Sequence, residues 1–155
     1  MKQYSPALVI DILRKDYPEV DSQIRQRIDE SIPSCLTDLN LVPAIIQSFK
    51  KIKAVDYSKW ESERGCNRGK VHEDRELLLA VLLLLYQPEK ILKMTNVYTK
   101  HRLLSTISKE INCSVASLKM RVPITILSYK AYKEFKKEAF SIYEQIKLEN
   151  DFFQN

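Results

Sequence analysis

The chain has 155 residues and a mass of 18.2 kDa, which predicts one domain or one domain with an appendage. A chain of this length can bury about two-thirds of its unfolded surface, so it needs neither a metal nor a disulfide for stability. Its net charge is +5, and its hydrophobic content of 45% is ordinary for a globular protein. Only two glycines, Gly65 and Gly69, are present. Hairpin turns and phosphate-binding loops depend on glycine, so this scarcity excludes a P-loop and a dinucleotide-binding fingerprint and predicts an all-α, multi-helix fold.

Apolar periodicity predicts three helices in the N-terminal third of the chain. The first covers 6–15 after an N-cap at Ser5, the second covers 19–32 and the third covers 42–55, with a short helical turn over 35–39. The apolar residues that share one face are Leu8, Ile12 and Leu13 in the first helix, and Val20, Ile24 and Ile28 in the second.

Residues 56–70 lack apolar periodicity and contain both glycines, so they are the predicted loop and the predicted domain boundary. This boundary would separate an acidic helical part, residues 1–55, from a basic helical part, residues 71–155, although one continuous domain is also consistent with the sequence. Trp60 lies in this loop. We expect Trp60 to pack back on the domain, and the alternative is a ring that stacks on a base or anchors a partner.

The most apolar run of the chain is Leu77 to Leu85. Nine helical residues span only about 14 Å, whereas the hydrocarbon core of a membrane is about 30 Å thick. We therefore predict a buried helix over 71–86, with a subunit interface as the alternative, and no membrane partner. A further short helix is predicted from Pro88 to about Met94.

Residues 107–122, ISKEINCSVASLKMRV, read as a helix, a tight turn and a second helix. Asn112 lies at the turn and tolerates a positive φ, Ser114 offers an N-cap oxygen to the second helix, and Ser108 is small at the predicted helix crossing. The apolar residues predicted to be buried between the helices are Ile107, Ile111, Leu118 and Val122.

This segment resembles the DNA-binding helix-turn-helix, whose second helix lies in the major groove. The resemblance covers about sixteen residues and has two departures: Asn112 replaces the usual glycine, and Pro123 is expected to end the second helix near Arg121. An ordinary corner between two helices is the alternative. The resemblance implies that Arg121 lies near the DNA backbone and that the base edges are faced by Val115, Ala116, Ser117, Lys119 and Met120.

A long C-terminal helix is predicted from Pro123 to about Glu149. Lysines occupy much of its polar surface. Its predicted core stripe consists of Leu127, Ala131, Phe135, Ala139, Ile142 and Ile146.

Basic residues concentrate around the motif. Residues 93–137 carry ten Lys or Arg against two Glu, a net of +8, whereas residues 1–48 have a net of −2. Such a cluster is the electrostatic footprint expected for a polyanion. We therefore predict a small regulatory or accessory protein that binds duplex DNA through Lys100, Arg102, Lys109, Val115, Ser117, Lys119, Arg121, Lys130, Lys133 and Lys137.

The alternative is a helical interaction or assembly protein without a nucleic-acid role, which docks a protein partner or a second copy through 77–85 and the pair Phe152 and Phe153. Catalysis has little support, because His72, Glu73 and Asp74 are consecutive and cannot converge on one helix.

Cys66 lies near His72 in the sequence, but a chance neighbour is the better interpretation, and the carboxylates are expected to be spread over helix faces. We therefore predict no enzyme, no metal site and no cofactor. Three widely spaced cysteines and an early-charged N-terminus predict reduced thiols and a cytoplasmic protein.

Overall fold

A computed structural model describes residues 4–31, 35–54, 68–92 and 98–150, with the side chains of 68–71 excepted. These residues form eight α-helices and one 3-10 turn, with no strand among them, which confirms the predicted all-α fold. The helices are α1 (Pro6–Asp16), α2 (Pro18–Ser31), α3 (Val42–Lys53), α4 (Arg68–Tyr86), α5 (Pro88–Ile91), α6 (His101–Glu110), α7 (Val115–Ala131) and α8 (Lys133–Asn150). None of the helices described is both long and apolar enough to cross a membrane.

The chain divides into two compact units, Met1–Pro33 and Ser34–Asn155, which we call the hairpin and the helical domain. Residues on both sides of the predicted division at 56–70 therefore belong to the same unit. The physical reason is α3, whose buried residues join the same apolar core as α4. Residues 55–67, which include most of the predicted loop and Trp60, lie outside the described residues.

The hairpin consists of α1 and α2. Ser5 caps α1 as predicted, because its hydroxyl accepts a hydrogen bond from the Leu8 amide at 3.3 Å and Pro6 occupies the first helical position. Neither helix contains a buried residue. The apolar faces read from the sequence are present, but they do not form a closed core within this unit.

The helical domain is built around α4. Every residue from Leu77 to Tyr86 is buried, which confirms the predicted buried helix. Helices α3, α7 and α8 pack against α4, and α6 contacts α3 and α7. The predicted turn over 35–39 is instead a 3-10 turn at Leu39–Leu41, which begins after the N-cap Asp38.

Two helix boundaries in the C-terminal half differ from the prediction. Pro123 does not end the second motif helix but lies inside α7, because the buried side chains on either side hold that helix against the core despite the missing amide donor. The break comes at Tyr132, which has an extended backbone at φ −109° and ψ 111°. Because the helix is interrupted here, the chain can change direction between α7 and α8. The two helices therefore contact each other, and both contact α4.

The predicted C-terminal core stripe is correct from Phe135 onward, because Phe135 is half-buried and packs against the core. Ala139, Ile142 and Ile146 are buried, whereas Leu127 is 58% exposed and Ala131 is also exposed. In α7 the buried positions are instead Leu118, Val122, Thr125 and Tyr129. The prediction assumed one continuous helix from Pro123 to Glu149. The helix is interrupted at Tyr132, so the apolar spacing of α8 does not continue into α7.

Candidate nucleic-acid interface

The turn between α6 and α7 has the predicted geometry. Asn112 adopts φ 49°, one of only two positive-φ residues among those described. The Ser114 side chain accepts a hydrogen bond from the Ser117 amide at 3.1 Å and caps α7. The Ser108 hydroxyl donates to the carbonyl of Cys113, and the Cys113 amide donates back to the Ser108 carbonyl at 3.1 Å. These contacts close the turn without glycine.

The two motif helices are fixed by an apolar contact. Helices α6 and α7 pack against each other, and the four predicted residues belong to the main core. All of them are at most 4% exposed: Ile107, Ile111, Leu118 and Val122. The arrangement therefore positions the outer face of α7 firmly relative to α6.

The outer face of the amino-terminal half of α7 is open to solvent. Ala116 and Lys119 are exposed, and Met120 is 74% exposed. Ser117 is half-buried. Val115, which the resemblance placed at the base edges, is partly buried and packs against the core, because the first turn of α7 leans on the domain.

Farther along α7 the exposed face is apolar rather than basic. Ile124 and Leu127 are exposed and follow Met120 at helical spacing. An outer face of this composition lacks the hydrogen-bonding groups that read base edges. The polar side chains of the outer face near the turn are therefore Ser117 and Lys119, in the amino-terminal part of α7.

Arg121 lies differently from the other predicted contact residues. Its Nη1 is 2.9 Å from Oε1 of Glu76 in α4, and its Nη2 is 2.7 Å from Nδ1 of His72. The side chains of Arg121 and Glu76 are only 19% and 14% exposed. Arginine can only donate, so Nδ1 of His72 accepts in this contact. The guanidinium holds α7 to α4, and its assignment to the DNA backbone is corrected to a structural role.

The amino end of α6 gathers three basic residues. Lys100, His101 and Arg102 are exposed, no acidic residue lies in the first turn, and no side chain caps the helix. Buried Gln87 positions this end: its Oε1 accepts from the Lys100 amide at 2.9 Å, and its Nε2 donates to the Tyr98 carbonyl at 3.4 Å.

Gln87 was predicted only to mark the start of the next helix. Its only signal was a polar residue directly after a long apolar run. The basic residues of α6 also border a cavity of about 430 Å³ that reaches Leu36 and Tyr86.

The remaining lysines are exposed but not equivalent. Lys109 lies in the last turn of α6, near the turn. Lys130 and Lys133 flank the break at Tyr132. Lys137 forms an ion pair with Glu134 at 3.1 Å, so part of its charge is compensated. The most direct contributions to a positive surface near the motif come from the lysines at 100, 109 and 119.

Carboxylates that the sequence analysis expected to be scattered are gathered around one cleft of about 600 Å³. Lys53 is the basic residue in its wall, and it forms ion pairs with Asp74 at 3.9 Å and with Glu138. The acidic residues are Glu73, Asp74, Glu76, Glu134 and Glu138. This cleft would repel a phosphate backbone, which confines any DNA contact to other surfaces.

Within the residues described, no group of three or more His, Cys, Asp or Glu side chains is arranged to hold a metal ion. Cys35 and Cys113 are free thiols, and Cys66 and the pair Phe152 and Phe153 lie outside the described residues. Comparisons of the chain with protein-family models, with curated proteins and with solved structures found no match.

Proposed function

We propose that this protein binds duplex DNA through the segment formed by α6, the turn and the amino-terminal half of α7. The observation that carries the proposal is a closed turn between two firmly packed helices, with the following helix exposed from Ala116 to Met120 beside basic residues. This geometry suits the insertion of one helix into the major groove while the preceding helix lies across the backbone.

The chemistry of the exposed positions suggests modest sequence selectivity. Lys119 can donate to O6 and N7 of guanine, and the methyl groups of Ala116 and Met120 can contact the thymine methyl. Arg, Asn and Gln, which make bidentate base contacts, are missing from this face from Ala116 to Met120. Affinity would therefore come mainly from phosphates, with a smaller contribution from base contacts.

The amino end of α6 supplies the phosphate contacts in this proposal. Its free backbone amides and the positive end of the helix dipole favour an anion, and Lys100 and Arg102 add full charges beside them. Lys109 stands at the other end of the same helix. A DNA phosphate backbone that runs along α6 would thus meet positive charge at both ends of the helix.

The lysines after Pro123 have a secondary role. Lys130 lies eleven residues beyond Lys119, about 16 Å along the helix, which is farther than the width of the major groove of about 12 Å. Lys130 and Lys133 would therefore reach flanking phosphates, and Lys137 would contribute less because it is paired with Glu134.

The test is fluorescence anisotropy of a labelled duplex at several salt concentrations. With about four phosphates neutralised, the slope of log affinity against log salt should be about −4. Lys119→Ala should weaken binding. Lys51→Ala, which removes the same charge from the exposed surface of α3, is the matched control and should change binding little. Absence of binding at about 50 mM salt, or equal losses in both variants, would contradict the proposal.

A second candidate is an assembly protein without a nucleic-acid role. The exposed apolar positions Met120, Ile124 and Leu127 favour it, because contiguous exposed apolar surface commonly marks a protein contact. The two candidates differ in the same anisotropy experiment, since an assembly protein would show no salt-dependent binding of the duplex.

A further inference from the structure

The hairpin has a large apolar surface and no core of its own. Across α1, α2 and the adjoining residues, nine large apolar side chains are 42–69% exposed, and no residue of either helix is buried. They are Tyr4, Leu8, Val9, Ile10, Ile12, Tyr17, Val20, Ile24 and Ile28.

A unit of this size needs an additional source of stability. Units below about 40 residues are usually stabilised by disulfides, metals or association. Residues 1–33 contain no cysteine and no histidine, which removes the disulfide and the usual zinc ligands. Isolated helices as short as α1 and α2 are marginal in water, so association through the apolar surface is the remaining source.

We propose that the hairpin is a dimerisation element, whose apolar α1 face packs against the same face of a second copy of this chain. The face surrounds a shallow apolar cavity of about 270 Å³. The residues that line the cavity all belong to α1 and its two flanking tyrosines: Tyr4, Leu8, Val9, Ile12, Leu13 and Tyr17.

The charge on α1 is compatible with self-association. The helix carries two acidic residues, Asp11 and Asp16, and two basic residues, Arg14 and Lys15, so two copies would meet without net repulsion. Polar side chains of α2 pair with one another: Arg25 forms an ion pair with Asp21 at 2.7 Å, and the Gln26 side chain donates a hydrogen bond to Glu30 at 2.7 Å. The apolar face is thus the unsatisfied surface of the hairpin.

The exposed area matches a modest dimer. The α1 face has five exposed apolar side chains, and at on the order of 80 Å² each they would bury roughly 400 Å² per copy. Stable interfaces bury about 800 Å² per partner, and smaller ones are weaker. We therefore expect a weak dimer, with a dissociation constant on the order of 100 µM.

Analytical ultracentrifugation of the full chain without DNA tests this proposal. The mass should rise from 18.2 kDa toward twice that value as the concentration increases through the micromolar range. Ile12→Glu places a carboxylate in the apolar face and should leave the chain monomeric. Ile10→Glu makes the same change at an exposed position of α1 that does not line the cavity, and this variant should still dimerise.

Ile12→Leu retains the apolar surface and should also dimerise. This result would show that dimerisation requires an apolar side chain at position 12 and not isoleucine itself. A wild-type chain that stays monomeric throughout this range, or an Ile12→Glu variant as dimeric as the wild type, would overturn the proposal. Because no DNA is present, neither result bears on nucleic-acid binding.

Discussion

The hairpin and the helical domain are made of helices with the same apolar spacing of three and four residues, but they bury those residues to very different degrees. In the domain, α4 buries its entire run from Leu77 to Tyr86, and four other helices contact it: α3, α5, α7 and α8. In the hairpin, the matching positions Leu8, Val20 and Ile24 remain more than two-fifths exposed. Periodicity therefore predicts the helix and its apolar face, whereas burial depends on how many neighbours the topology brings to that face.

The sharpest test of this comparison is a matched pair of truncations. Leu82→Ala removes a fully buried side chain of α4 and should lower the free energy of unfolding by about 2–5 kcal/mol. Ile24→Ala removes a side chain of α2 that is already 42% exposed, and should cost about 1 kcal/mol or less. Urea unfolding followed by circular dichroism measures both values. Equal losses would contradict the difference in burial.

A second pair of variants tests Lys119 and Arg121, two basic residues of α7 that were both predicted to contact DNA. Arg121→Ala leaves the carboxylate of Glu76 without its ion-pair partner and should lower stability by roughly 2 kcal/mol. Lys119→Ala removes an exposed charge and should change stability by about 0.5 kcal/mol or less. Thermal melts of the two variants provide the comparison. An Arg121→Ala protein as stable as the wild type would contradict the structural role of Arg121 and would support its original assignment as a contact residue.

A third test concerns the buried phenol of Tyr86, which donates a hydrogen bond to the Asp38 carbonyl at 2.8 Å. Burial, followed by the nearby charge of Asp38, raises the pKa of Tyr86 above its ordinary value of about 10. The folded state therefore favours the neutral phenol. This contribution to stability is complete below pH 10 or so and is lost as the pH rises above it.

Tyr86→Phe should cost about 1 kcal/mol at neutral pH, because it removes the hydrogen bond. The variant should also lose less stability than the wild type between pH values of about 10 and 12, because it has no phenol to ionise at this position. Denaturant unfolding at several pH values measures the difference. Parallel alkaline losses in the two proteins would show that Tyr86 does not contribute to the pH dependence.

Local chemistry in the sequence predicted much of the fold and the turn of the candidate site. Ser5 and Ser114 marked helix starts, Asn112 marked the positive-φ position, and the run from Leu77 to Leu85 marked the buried helix. Each of these features depends on residues within a few positions of one another. Such signals are readable without knowledge of the tertiary contacts.

The errors came from long-range contacts. Pro123 was expected to stop a helix that tertiary packing continues, and the break at Tyr132 follows from the way α7 and α8 both contact α4. Arg121 was assigned to solvent because its partner, Glu76, lies 45 positions away. No local pattern reports a partner at that separation, nor the gathering of carboxylates from α4 and α8 around one cleft.

The central claim, that α6 and the amino-terminal half of α7 contact DNA, is tested most directly by hydrogen exchange with and without a duplex. Backbone amides of 98–120 should exchange more slowly in the complex, while those of α3 (Val42–Lys53) should be unchanged. Protection confined to another segment, or no protection under conditions where the duplex is bound, would contradict the account.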